Sequence, residues 1–284
     1  MKKIIKKAWR ALAARPSFSK INELMFDCSL HGLGILNYQT AELSGERHFV
    51  EKLLPLYTNQ ASPLFLDVGA NTGGYTHLLK KFHPSASLFA FEPNPKTCKV
   101  LKHEFANSDV VVVNKGLGSE ESLLKFYDRS DHGGSSEHGS LYRAVLEDIY
   151  GVDVEEIDVE ITTLDKYVKD NAIQRITFMK VDTEGHELEV LRGAYNTLLD
   201  DRIDLIQAEF NEMNIISRVF FRDLAKTLSN YIPYRLLPNG VIRLKESPLR
   251  TELFAFQNIV FVHRRFKPNK AMKPTANRGS SPSC

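Results

Sequence analysis

Cysteine is scarce: the 284 residues hold three, Cys28, Cys98 and Cys284, with no C-x-x-C pair among them. That excludes a disulfide scaffold and a paired-cysteine metal site, and it suits a reducing compartment such as the cytoplasm. Long hydrophobic runs are missing too; none approaches the roughly 18 apolar residues that a membrane span needs. Acid is absent from both ends. Residues 1–20 carry seven basic side chains and residues 264–284 carry six, with no Asp or Glu in either stretch. Setting those thirteen aside leaves 24 basic against 35 acidic residues in 21–263, a net of −11 inside a chain whose total is +2. An acidic body is a poor platform for nucleic acid, whose affinity comes largely from neutralising phosphates. What remains is ordinary globular material: 43% hydrophobic and 25% charged residues, enough for one sizeable core and far from the composition of a disordered chain.

The ends divide from the middle. Lys6, Lys7 and Arg10 interrupt any apolar stretch of a signal peptide. Ile5, Trp9 and Leu12, with Ile4 and Ala8 beside them, fall on one face of a basic amphipathic helix. Such a helix reads either as a peripheral foot on an anionic membrane surface or as a packed leading helix. The expected division is a basic helical extension and entry segment over 1–50, a main domain over 51–265, and a disordered basic tail over 266–284.

Between the ends, apolar runs and helical periods alternate. Leu64–Val68, Ser87–Phe91, Val110–Val113, Ile176–Val181 and Ile203–Phe210 read as strands. Helices are expected over Thr76–Phe82, Pro95–Phe105, Glu187–Leu199 and Ile215–Ser229. Strands apolar on both faces in βαβα order imply a mainly parallel sheet with helices on both sides. The Pro238-Asn-Gly240 turn between Tyr234–Leu237 and Val241–Leu244 predicts a hairpin, and Asn258–His263 a last strand, so the closing edge is antiparallel. A segment of about 128–157 breaks the rhythm and reads as an insertion, lid or loop.

The sharpest chemical signal is Asp67-Val-Gly69-Ala-Asn71-Thr-Gly73-Gly74, which closes one strand and opens a helix. That is where open α/β sheets bind ligands. Gly69 and Gly73 allow a tight turn and close backbone approach. Asn71 stands where a dinucleotide fingerprint has its second glycine. Asp67 is awkward for a pyrophosphate but suits an ammonium group. Glu92 follows 25 residues later, at the end of the next strand, where a carboxylate accepts ribose hydroxyls. Together these residues describe S-adenosylmethionine (SAM) better than NAD.

A second signal, Lys180-Val-Asp182-Thr-Glu184-Gly-His186-Glu187, lies at the same sheet edge. Acids crowded there are costly unless they bind something or exchange protons. Asp182 and Glu184 can orient the cofactor, bind a cation or serve as base; His186 is a further candidate base. Glu187 is explained equally well by the helix dipole.

The segments Asp67–Gly73, Phe91-Glu-Pro-Asn-Pro95, Val113-Asn-Lys-Gly-Leu-Gly118, Thr163-Leu-Asp165 and Lys180–Gly185 with Leu191-Arg-Gly193 resemble the FkbM family of SAM-dependent methyltransferases. His31-Gly-Leu-Gly-Ile35 and Ser44-Gly-Glu46 resemble its entry segment, so the likeness covers roughly residues 30–263. The resemblance implies a class I, Rossmann-like fold: a seven-stranded sheet ending in a reversed hairpin. It assigns Asp67, Gly69, Asn71 and Gly73 to the cofactor loop and Glu92 to the ribose. It sets Asn114 near the adenine, and Asp182 and Glu184 toward the transferred methyl. It also implies O-methylation of a hydroxyl on a sugar, glycan or secondary metabolite. Gly133-Gly-Ser135-Ser136 resembles a serine-bearing substrate turn, flanked here by His132 and His138 as reserve bases.

Methyl transfer from a sulfonium is chiefly a positioning task. A hydroxyl acceptor must also lose a proton to a nearby base, for which Asp182, Glu184 and His186 are the candidates. A divalent cation at Asp182 and Glu184 is the other route, but two carboxylates make a thin ligand set. The competing readings are an NAD-linked oxidoreductase and a non-catalytic binding module on the same sheet.

Overall fold

The computed structural model describes residues 2–58, 62–129, 139–245 and 247–266. Its main sheet is built from β1 (Leu64–Val68), β2 (Ser87–Phe91), β3 (Val111–Val113), β7 (Ile176–Val181), β8 (Ile203–Phe210), β9 (Tyr231–Leu237), β10 (Gly240–Arg243) and β11 (Gln257–His263). The intervening strands β4 (Gly116–Leu117), β5 (Ser122–Arg129) and β6 (Val154–Thr162) form a second sheet.

The main sheet runs β10-β9-β11-β8-β7-β1-β2-β3. From β3 to β8 every pairing is parallel. Every residue of β7 is buried, which is why it reads as an unbroken apolar run rather than an alternation. Period-two alternation sends Leu66 and Val68 to one face and Phe65 to the other, and helices seal a separate core on each.

The sheet has eight strands where seven are expected. The expected seven are present as β3-β2-β1-β7-β8-β11-β9, with β11 antiparallel to both neighbours. The Asn-Gly hairpin adds β10 outside them, antiparallel to β9. The reversed strand is therefore β11, and of the hairpin only β10 is an addition to the expected seven.

Two expected helices are broken. Glu187–Leu199 divides into Glu187–Arg192 and Tyr195–Leu199. At the break Gly193 lies against the loop after β4, where a Cβ would sit 1.9 Å from the Gly118 carbonyl oxygen. Ile215–Ser229 divides into Met213–Ile216 and Phe221–Thr227, interrupted where Arg218 takes a left-handed φ of 59°.

The arms of the expected insertion are strands. β5 and β6 pair antiparallel from Ser122 opposite Ile161 to Arg129 opposite Val154, and β4 lies parallel to β6. Phe126, Val159 and Ile161 form a small core beneath them. The tip of the insertion, with the candidate residues His132, Ser135, Ser136 and His138, lies outside the described residues, as does 267–284.

Register assembles the site. Val68 pairs with Phe91 on one side and Val181 on the other, and Val181 pairs with Ala208. The chain therefore leaves these strands side by side at Gly69, Glu92 and Asp182, with Glu209 following Ala208 on β8. β1 is also where the strand order reverses, the crevice at which open α/β sheets take ligands.

The closeness of Gly193 to Gly118 yields a test. Gly193→Ala should destabilise the fold by about 2–3 kcal/mol, because backbone must move to admit one methyl group. Chemical denaturation at constant slope measures it.

Candidate functional site

A cavity of about 890 Å³ opens at the carboxyl ends of β1, β2, β7 and β8. Gly69, Asn71, Glu92, Asp182, Glu184 and His186 all stand on its wall. Asp67, Gly73 and Asn114 are not among its lining residues.

The glycine loop owes its shape to two contacts. Gly69 has φ 80°, and a Cβ there would lie 1.8 Å from the Asp182 carbonyl oxygen, so only glycine lets the loops after β1 and β7 meet. Gly73, at φ 96°, presses on Phe105 and Leu101 and closes the loop onto the helix Pro95–Glu104. The Gly69 and Ala70 amides both donate to the Phe91 carbonyl at 3.0 and 2.9 Å.

Glu92 is 6% exposed. Its Oε2 accepts the Asn71 amide at 3.0 Å and its Oε1 the Asn94 amide at 2.8 Å. Burial raises its pKa from 4.5 to about 7 despite those two donors. Asn114 holds the strand end in place, its side-chain amide donating to the carbonyls of Glu92 and Pro93 at 2.9 and 3.0 Å.

Asp67 is wholly buried and touches Thr76 rather than the cavity, with Thr76 Oγ1 donating to Oδ2 at 2.6 Å. Alternation explains this: Asp67 shares the sheet face of Phe65, beneath the loop. Its Oδ1 has no hydrogen-bond partner among the described residues. Burial raises its pKa, and Lys180 opposes the rise.

Lys180 is the centre of the polar array. It pairs in register with Asp67 on β1 and with Gln207 on β8. Its Nζ donates to Asp182 Oδ2 at 2.9 Å and lies 4.7 Å from the centre of the Tyr75 ring. Burial works against its charge, but Asp182, Asp67 and Glu46 outweigh it and raise its pKa. Gln207 donates to Glu46 at 2.9 Å and accepts from the Tyr75 hydroxyl at 2.7 Å.

The acids exceed this single cation. Glu92, Asp182, Glu184, Glu209 and Glu212 line the cavity, and Lys180 is the only Lys or Arg on its wall among the described residues. Glu184 takes a left-handed φ of 53°, and its Oε2 is buried without a partner among the described residues. Burial raises Glu184 well above the usual range, with Asp182 and Glu187 adding repulsion. Glu209 rises likewise through burial, Asp182 and Glu184. Carboxyls that oppose each other's ionisation hold protons as a group.

Glu187 does not face the cavity. Its Oε1 accepts from the Thr183 amide and hydroxyl and the Gly185 amide at 3.0–3.1 Å, clamping the loop. His186 does face it, at 8% exposure. Its Nδ1 lies 3.3 Å from the Tyr142 hydroxyl, and its Nε2 has no partner among the described residues. Burial lowers its pKa to about 4, so the ring is neutral at physiological pH. No group of three or more His, Cys, Asp or Glu side chains among the described residues has the arrangement of a metal site.

Sequence reasoning assigned no role to Glu46, Tyr75, Gln207 or Glu209. Glu46 had a signal, standing in the Ser44-Gly-Glu46 motif; Gln207 and Glu209 are polar interruptions of an apolar strand.

Comparison with known proteins gives consistent matches. The methyltransferase FkbM domain profile matches residues 67–231. Methyltransferase sdnD of Sordaria araneosa is 30% identical over 158 residues, covering 47% of this chain and 61% of that protein. Hexuronic acid methyltransferase AglP of Haloferax volcanii is 29% identical over 168 residues, covering 57% and 61%. The 2-O-methyltransferase NoeI of Sinorhizobium fredii is 23% identical over 216 residues, covering 71% and 84%. The alignments thus span about three fifths of the length of the first two relatives.

The raised pKa of Glu92 carries a stability consequence. Between 4.5 and about 7 the folded state keeps a proton that the unfolded chain has lost, so stability falls as pH rises through that window. Glu92→Gln should remove about 2–3 kcal/mol of that fall. Denaturation midpoints of both proteins at pH 4.5 and pH 8 give the difference.

Proposed function

The chain belongs to the FkbM methyltransferase family, and from that premise we propose that it uses SAM to methylate a hydroxyl of a sugar, glycan or secondary metabolite. The observation that carries this reading is the charge of the cavity. Five carboxyl side chains, those of Glu92, Asp182, Glu184, Glu209 and Glu212, line it against one lysine already committed to Asp182, so its natural ligand is a cation.

The residues present fit SAM. It brings a sulfonium and an ammonium, and when bound it supplies an electrophilic methyl group. Glu92 retains acceptor capacity beyond its two backbone donors and would take the ribose hydroxyls. The glycine loop lets backbone approach at Gly69 and Asn71. Asp182, oriented by Lys180, would hold the amino-acid end; Asp67 acts behind it through Thr76 and Lys180. A dinucleotide fits poorly, since its pyrophosphate would meet Asp182, Glu184 and Glu209.

The proton of the acceptor hydroxyl needs an acceptor on the wall. We assign it to Glu184, which a bound cation would drive to its ionised form, supported by its buried, unpartnered Oε2, with Glu209 and Asp182 sharing the charge. His186 is too weakly basic for that task at neutral pH, and its ring, seated by Tyr142, is better placed to position the bound nucleoside. A sugar-type acceptor is supported by the relatives, since AglP acts on a hexuronic acid and NoeI is a 2-O-methyltransferase. The cysteine usage supports a cytoplasmic setting.

Variants separate these roles. Asp182→Ala should lower turnover by about a thousandfold or more while calorimetric SAM binding remains measurable. Glu184→Gln should lower kcat about a hundredfold with SAM affinity nearly unchanged. The acceptor is read by mass spectrometry of a metabolite extract treated with isotopically labelled SAM. Normal turnover by Asp182→Ala would remove it from the mechanism. NADH binding without SAM binding would overturn the whole reading.

A further inference from the structure

The two N-terminal helices, Lys2–Ala13 and Ser19–Gly32, are exposed along nearly their whole length. Among their described residues only Ala13 and Leu30 are buried. The Asn22 side-chain amide donates to the Ala13 carbonyl at 2.9 Å and ties the pair together. Ile4, Ile5, Trp9 and Leu12 cluster on one side of the first helix, with Ile4 73% exposed and Trp9 42%. Lys3, Lys6, Lys7 and Arg10 occupy the opposite side. In the second helix Ile21, Leu24 and Met25 recur at i, i+3 and i+4 and are also exposed. Neither apolar face has a covering element among the described residues.

We propose that this helical pair is an interfacial anchor for an anionic lipid surface. Charge selects the occupant. The stretch 1–20 holds seven basic residues and no acid, whereas the body is strongly acidic. An apolar face flanked by lysines lies in the plane of a bilayer, with the lysine stems reaching up to the headgroups and tryptophan at the interface. A neutral apolar partner would leave the basic side without a counterpart. Among the described residues no helix is long and apolar enough to cross a membrane, and the contact proposed is a peripheral one.

The anchor is coupled to the cavity by a short, rigid connection. After Gly32 the chain enters a tight contact at Gly34, where a Cβ would lie 2.3 Å from the Leu236 carbonyl oxygen. The Leu36 amide then donates to the Phe256 carbonyl at 2.8 Å, and Leu36 and Tyr38 line the cavity. Seating the helices on a bilayer therefore keeps the cavity close to its surface, where a lipid-linked acceptor would be presented.

Trp9 is the only tryptophan in the sequence, so its fluorescence reports on this helix alone. The full chain is titrated with phosphatidylcholine vesicles, with and without phosphatidylserine. Blue-shifted emission and co-flotation are expected with the phosphatidylserine vesicles. Lys6→Gln with Lys7→Gln should weaken partitioning about fivefold for each lysine removed. Unchanged emission with phosphatidylserine vesicles overturns the proposal. So does a shift that follows protein concentration without lipid, which would assign the faces to a second copy. Neither readout depends on methyl transfer, so failure here leaves the reading of the cavity standing.

Discussion

Lys180 is the interaction on which the site depends. A buried ammonium is tolerated only when anions surround it, and here Asp67, Asp182 and Glu46 do so from β1, from the loop after β7 and from the entry segment. The strand register supplies this geometry without any long-range search: Asp67, Lys180 and Gln207 are lateral neighbours on three adjacent parallel strands. Glu46 is the one partner brought from a distance, 161 residues from the Gln207 that holds it. Because that single cation is already shared among three acids, every further carboxyl on the wall is uncompensated. The cavity is consequently a place where ionising the carboxyls is costly until a cation enters.

That cost is visible in several groups at once. Glu92, Glu184 and Glu209 are all pushed toward their protonated forms by burial, and Glu184 adds a left-handed backbone. Such concentrations of desolvated acid and strain are typical of sites kept for binding rather than for stability. The fold tolerates them because the surrounding loops are over-determined. Gly69 meets the loop after β7, and Glu187 takes three donors from its own turn.

Much of this was legible in the sequence wherever a chemical group lies at the end of a strand. β7 and β8 begin and end as the apolar runs indicate, and the glycine loop, Glu92, Asp182 and Glu184 follow from position alone. Asp67 shows the limit of that logic. Its place one residue inside the strand end, on the Phe65 side, turns it under the loop, and composition near the loop says nothing about which face it takes. The second sheet escaped for a related reason. Val154, Ile157, Val159 and Ile161 carry an imperfect alternation, easily passed over inside a stretch rich in glutamate. Glu46 and Glu209 acquire meaning only through burial and contacts far apart in the chain, as does the low basicity of His186.

The same charge division runs through the whole molecule, with an acid-lined cavity in an acidic body and a basic leading helix at one end of the chain. The central claim is that the uncompensated carboxyls await a cationic ligand. It is tested most directly by calorimetry of SAM and of S-adenosylhomocysteine in buffers of differing ionisation heat. A cation entering the cavity should drive the protonated carboxyls to ionise, so SAM should bind with net proton release, exceeding that of its uncharged-sulfur product. Equal proton release for the two ligands, or binding of neither, would contradict the account.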